Sequence, residues 1–169
     1  MLERLYTAPP EGGVVVCLDE MGPNSARRYP GRRLVQPAGP KARRAKPEID
    51  YGRRGKAYVF GAFRPATGAA VTAPYAGRTI ANWVDFLGAV EGWVDAGVER
   101  DSSMVVNLNT HSATDVLLFA LAHPRWEFVF QPKYAAYLNL IEPWWKIRRS
   151  LAVTGRRFEA WSEIKVSAR

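Results

Sequence analysis

Five short apolar runs, rich in β-branched and aromatic residues and separated by helical or polar stretches, constrain this chain more than any other feature. VVVCL (14–18), AYVFGAF (57–63), AAVTAPY (69–75), SMVVNL (103–108) and WEFVF (126–130) each have the length and composition of a strand. The second and third are joined by Arg-Pro-Ala-Thr-Gly, a polar turn that makes them a hairpin. TIANWVDFLGAVEGWVD (79–95) instead repeats at helical spacing. Ile80, Trp83, Val84, Leu87, Val90 and Val94 share one face and Thr79 is placed as N-cap, although Gly88 and Gly92 weaken the helix by about 1 kcal/mol each. A second helix is predicted over 115–122, where Asp115 favours the N-terminal dipole, and a third over EPWWKIRRSLAV (142–153), with Pro143 in its first turn. A hairpin followed by alternating strands and helices predicts an α/β chain with a mixed sheet covered by helices.

At 169 residues the chain has room for one ordinary domain, 1–169, with a core that needs no staples. The first strand ends abruptly in Asp19-Glu20-Met21-Gly22-Pro23, and a long interruption over about 24–56 follows. From Arg27 to Lys56 it holds eleven basic and two acidic residues, while the whole chain carries +8. The excess positive charge therefore lies in one Pro- and Gly-rich stretch, suited to an exposed arm or long loop. Arg27, Arg28, Arg32, Arg33, Lys41, Arg43, Arg44, Lys46, Arg53 and Arg54 can neutralise phosphates and release counterions, which points to nucleic acid or another polyanion. A solvated linker whose charges only aid solubility is the alternative.

Cys17, the single cysteine, sits inside VVVCL and reads as a small buried core residue. No apolar stretch approaches the ~20 residues needed to span a bilayer, and the first residues lack a signal-peptide core, so an intracellular setting is the default expectation.

Metal-assisted phosphoryl transfer needs several carboxylates converging on hard cations about 4 Å apart. In a mixed sheet the convergence point lies at strand ends and the starts of neighbouring helices. Asp19 and Glu142 occupy such places, although a turn aspartate and a helix-dipole glutamate are the ordinary explanations of each.

Three segments carry more than that. CLDEMGP (17–23), NLNTH (107–111) and QPKYAAYLNLIEPWW (131–145) resemble the signature blocks of mariner-like bacterial insertion-sequence transposases, and RRAKPEIDYGRRGKAYVFGAF and PYAGRTIANWVDF resemble one subgroup of them. The resemblance covers nearly the whole chain. It implies a ribonuclease H-like mixed five-stranded sheet flanked by helices, in which two aspartates and a glutamate bind two Mg²⁺ or Mn²⁺ ions and cut and join DNA. The family's first aspartate falls on Asp19 and its glutamate on Glu142, the implied catalytic and metal-binding residues. The second stands immediately before Asn-Leu-Asn-Thr-His, and here that position is Val106.

Valine cannot bind a hard cation. Glu20 follows Asp19 on an extended segment and points to the opposite face, as Asn107 does relative to Val106. Asp101 lies ~17 Å back along its strand. Asp115 belongs to the next helix start. None of them replaces the missing ligand, so impaired catalysis is expected. The resemblance also leads us to expect a truncated core: only MLERLYTAPPEGG precedes the first strand, where relatives carry a helix-turn-helix region, and FEAWSEIKVSAR stops before a further helix. DNA is the implied partner, with a homodimer on transposon ends as one arrangement and no membrane. The implied location is a bacterial cytoplasm, at the nucleoid.

Lys133, Lys146, Arg148 and Arg149 flank Glu142 and are candidates to hold DNA phosphates, with exposed surface charge as the equal alternative; Arg156 and Arg157 repeat that signal more weakly. Trp144 and Trp145 could stack on bases, but their spacing from Ile147 and Leu151 places at least one in the core. His111 reads as a turn-stabilising residue and His123 as a loop residue. Three functions remain open at this level: a metal-dependent DNA-cleaving and strand-transferring domain, a non-catalytic nucleic-acid-binding remnant of a decayed transposase, and a degraded product with no role.

Overall fold

A computed structural model describes residues 2–29, 54–105, 113–132 and 135–167. Five strands, β1 (Gly13–Ser25), β2 (Lys56–Phe63), β3 (Ala70–Tyr75), β4 (Arg100–Val105) and β5 (Trp126–Phe130), form one sheet in the order β3-β2-β1-β4-β5. β1, β2 and β3 are antiparallel neighbours, whereas β4 runs parallel to both β1 and β5. Helices α1 (Leu2–Thr7), α2 (Ile80–Trp93), α3 (Thr114–Ala122), α4 (Ile141–Ala152) and α5 (Trp161–Ser167) surround it. The mixed, helix-flanked sheet is the architecture that the strand and helix order predicts.

The first half of β1, Val14–Leu18, is apolar without interruption because both of its faces are covered. Val16 and Leu18 join Phe60 and Ala62 of β2 against Trp83, Phe86, Leu87 and Val90 of α2 and Val116 and Phe119 of α3. Val15 and Cys17 point the other way and meet Ile141 and Trp145 of α4, so the cysteine is a core residue. Such a strand reads as a continuous hydrophobic run, without alternation. On α2, Thr79 is the N-cap as predicted, its hydroxyl accepting from the Asn82 N–H at 3.2 Å. Ile80 stays partly exposed in the first turn while Phe86 takes a core place, packing edge-on to Phe60 at 5.8 Å.

Two elements differ from the sequence expectation. β1 does not end at Leu18; it runs through Asp19 to Ser25, because antiparallel β2 goes on supplying backbone partners as far as Ser25↔Lys56. The register shifts between Met21 and Asn24, around Pro23, which has no N–H to contribute. α1 was not foreseen, since six residues are too few to show a period. Its Tyr6 packs on the α4 side of the sheet and donates to the Leu138 carbonyl at 2.8 Å.

Most of the basic insertion lies outside the described residues, but its two ends do not. Ser25 pairs with Lys56, and the Ala26 N–H donates to Gly55 at 3.2 Å, so the insertion leaves and re-enters the sheet at one place. Its base is also tied to the segment after α4: Arg28 bridges Arg157, and the Tyr29 N–H donates to Arg156 at 2.8 Å. Among the described residues no helix is long and apolar enough to cross a membrane.

Near the start of β4, Asp101 is fully buried; Ser103 Oγ donates to one carboxyl oxygen at 3.0 Å and the other oxygen has no partner. Burial pushes its pKa from 3.8 up to about 6, partly opposed by the Ser103 bond and by Arg125. The folded state thus holds this proton more tightly than the unfolded chain. The stabilisation is complete below the unfolded value and is lost as pH rises through the folded one. Asp101→Asn keeps an acceptor for Ser103 and removes the buried charge. It is expected to stabilise the fold by up to about 3 kcal/mol at pH ~8, with no gain near pH ~4, in paired denaturant titrations.

Candidate active site

Asp19 sits on β1 one step beyond Leu18, which is the last residue paired with β4, opposite Val105. Its other neighbour is Gly61 of β2, directly across the antiparallel ladder. By strand alternation it shares the face of Val15 and Cys17, the face that α4 covers. α4 presents Glu142 in its first turn and buries Ile141 and Trp145 against the sheet.

A single glycine permits this approach. A Cβ at Gly61 would come within 2.5 Å of Trp145 Cζ2, 2.6 Å of Cη2 and 3.3 Å of Ile141 Cδ1. The indole therefore occupies the space of the absent side chain, and the helix settles beside Asp19. Sequence reading passed over Gly61, although a glycine inside an apolar strand marks a close approach.

The result is a cleft of about 280 Å³ lined by Asp19, Glu20, Met21, Gly22, Glu142, Trp145, Lys146 and Arg149. Two carboxylates predicted from opposite ends of the chain meet there. Asp19 is 7% exposed and is hydrogen-bonded to the Glu142 carboxyl and to the Glu20 backbone. Burial, then the Glu20 charge, then Glu142 drive the Asp19 pKa from 3.8 to about 8, against the Glu20 backbone bond. A carboxyl group this buried and this close to other acids holds its proton more tightly than a free one.

Glu20 lines the same cleft, but its carboxylate is held by Arg78 at 3.0 Å. Asp101 is buried near the start of β4 and Asp115 lies in the first turn of α3, and neither lines the cleft. Among the described residues no three His, Cys, Asp or Glu side chains form a metal-binding group. Val106, Asn107 and His111 lie outside the described residues, as do Arg32, Arg33, Lys41, Arg43, Arg44, Lys46, Arg53 and Lys133. The described donors that fit a hard divalent cation are Asp19 and Glu142, by the chemistry of two converging carboxylates.

The described cations fall into two sets. Lys146 and Arg149 lie four and seven residues after Glu142 and line the cleft, Arg149 also donating to Asn24 Oδ1 at 3.3 Å. Arg148 turns away over the Trp144 ring at 5.3 Å. Arg27 and Arg28 are exposed at the base of the insertion, and Arg54 pairs with Glu159 at 3.2 Å. Trp144 stacks on Phe63 at 5.8 Å and Trp145 is buried, so both indoles are engaged by the protein itself. His123 stacks on Phe119 at 4.1 Å, at the end of α3.

Residues 14–165 match the DDE superfamily endonuclease family. The chain belongs to that family. Its fold matches solved structures of the Mos1 mariner transposase. For the Mos1 strand transfer complex the TM-score is 0.70 at 16% identity, over 98% of this chain and 48% of the other. For the paired-end complex with Mn the values are 0.67 and 17%, over 98% and 49%. The chain thus spans about half the length of these transposases, and at this identity what is shared is the ribonuclease H-like fold. No curated protein matches the chain. Membership in the DDE family and the mixed five-stranded sheet both agree with the sequence resemblance.

Two outcomes follow from this geometry. Gly61→Ala should displace Trp145 and destabilise the domain by about 1–3 kcal/mol, visible as a shift in tryptophan emission together with a lower Tm. Asp19→Asn should raise Tm by several degrees at pH ~9 and leave it unchanged near pH ~4, because the acid's raised pKa withdraws stability as pH climbs through its folded value.

Proposed function

We propose that this chain is a transposase catalytic core that binds DNA across the Asp19–Glu142 cleft and whose strand-cleaving chemistry is impaired by Val106. The observation that carries this reading is the meeting of Asp19 and Glu142, 123 residues apart in the sequence, in one cleft that also presents Lys146 and Arg149. Family membership and the Mos1 fold support it.

In this reading Asp19 and Glu142 hold a divalent cation such as Mg²⁺ or Mn²⁺. When bound, such a cation activates the attacking oxygen and neutralises charge developing on the phosphate. Lys146 and Arg149 hold the phosphate backbone against the cleft. Asp19 gives up its proton as the cation binds, so affinity for the metal rises with pH toward about 8. Val106 stands where the resemblance puts the second aspartate, and a methyl-bearing side chain leaves the cation charge undercompensated. The substrate is DNA, supplied by the cell's own nucleoid in the cytoplasm of a bacterium. Pairing two transposon ends would bring two copies of the chain together.

A second reading is favoured by the charge distribution: a remnant that binds DNA through the insertion, with no cleavage. Arg27, Arg28 and Arg54 at the insertion's base, with the basic residues between them, then carry the function. The two separate in one experiment. With Mg²⁺ or Mn²⁺, the chain as it stands should nick supercoiled plasmid slowly or not at all, Val106→Asp should raise the rate at least about 100-fold, and Asp19→Ala in that background should abolish it. If Val106→Asp gains nothing while binding still weakens steeply with salt, the remnant reading holds. Rapid nicking by the unaltered chain, lost in Asp19→Ala, would show that the site works without a second aspartate.

A further inference from the structure

Glu142 reaches Asp19 only if the first turn of α4 is held in register with β1, and the helix start has little of its own to hold it. Leu140, at the N-cap position, makes no side-chain capping bond. The preceding residue, Asn139, is fully buried and bonds in three directions. Its Nδ2 donates to the Leu18 carbonyl at 3.0 Å. Its Oδ1 accepts from the Ile141 N–H at 3.5 Å. Its own carbonyl accepts from the Glu142 N–H at 3.0 Å.

Leu18 is the residue before Asp19, and Glu142 is the other carboxylate. One side chain and its backbone therefore tie the peptide next to the first acid to the peptide of the second. Leu18 closes the described β1–β4 ladder, so the tie lands at the point of β1 from which Asp19 enters the cleft. We propose that Asn139 is a positioning residue of the cation site, setting the spacing between Asp19 and Glu142. This rests on the reading of the cleft as a cation-binding site.

A buried asparagine can also serve stability alone, and Tyr6 provides the comparison. Its hydroxyl donates to the carbonyl of Leu138, one residue earlier on the same segment, from α1. Tyr6→Phe thus removes a part-buried hydrogen bond from that segment and leaves the Leu18–Asn139–Glu142 connection whole. Asn139→Ala removes both side-chain bonds. Asn139→Asp keeps the acceptor for Ile141 and loses the donor to Leu18.

The test uses the full chain carrying Val106→Asp, with Mn²⁺ binding read as loss of the free-ion electron paramagnetic resonance signal, well below the Tm of every variant. Asn139→Ala and Asn139→Asp are expected to weaken Mn²⁺ binding by about tenfold or more, the usual effect of removing a group that orients a ligand, and Tyr6→Phe to stay within about twofold. Unchanged affinity in Asn139→Ala, or equal loss in Tyr6→Phe, overturns the proposal. If the Val106→Asp parent binds no Mn²⁺, the cation reading of the cleft is what fails. The proximity claim is then decided by nuclear Overhauser contacts between the residue 19 and residue 142 neighbourhoods. Their loss in Asn139→Ala and retention in Tyr6→Phe support the positioning role, and their retention in both refutes it.

Discussion

The seating of the Trp145 indole on the bare backbone of Gly61 is the contact on which the site depends. A helix packed on a sheet normally stands off by the thickness of two side-chain layers. Here one layer is missing at a single place, and that place is directly across the ladder from Asp19. Glu142 lies one turn before Trp145 on α4, so the depth at which the indole sits also sets how near the two carboxylates come. Ile141 packs beside it, and both belong to the cluster that includes Cys17 and Met104. The hydrophobic face of the sheet and the acidic cleft are therefore two parts of one packing arrangement. What stabilises the first positions the second.

That arrangement concentrates unfavourable charge. Asp19 is nearly buried, touches another carboxyl group, and keeps its proton to about pH 8. Glu20, its neighbour, is paired with Arg78. The two adjacent acids thus differ in partner: one has a fixed arginine, and the other has a backbone group and a second acid. Two carboxyl groups held this close destabilise the fold once both are ionised, because their charges repel across a short distance. Lys146 and Arg149 lie on the cleft wall, so a polyanion would meet positive charge there on the way to the acids.

Much of this was legible in the residues. The five strand runs and the helices over 80–93, 114–122 and 141–152 follow from periodicity, because each element buries a face whose spacing is printed in the sequence. Thr79 as a cap and Cys17 as core are equally local inferences. The extension of β1 was not legible, since DEMGPNS has turn composition and becomes a strand only because β2 lies alongside to pair with it. Asp19 and Glu142 were located by likeness to a family's motifs; spacing alone could not separate them from an ordinary turn acid and helix-start acid. Gly61 and Asn139 escaped notice because their roles consist of contacts with residues 84 and 121 positions away.

The sequence by itself determined the order of strands and helices, the burial of the apolar runs, and the gathering of positive charge into one insertion. These are set by side-chain polarity and short-range period, which need no knowledge of where the chain turns. Only the tertiary structure decided that Asp19 and Glu142 are hydrogen-bonded in one cleft, that Glu20 is claimed by Arg78, and that the insertion starts and ends at the same end of the β1–β2 pair. Each of those depends on through-space distance between segments far apart in the chain, and electrostatic and hydrogen-bond energies depend on that distance rather than on sequence separation.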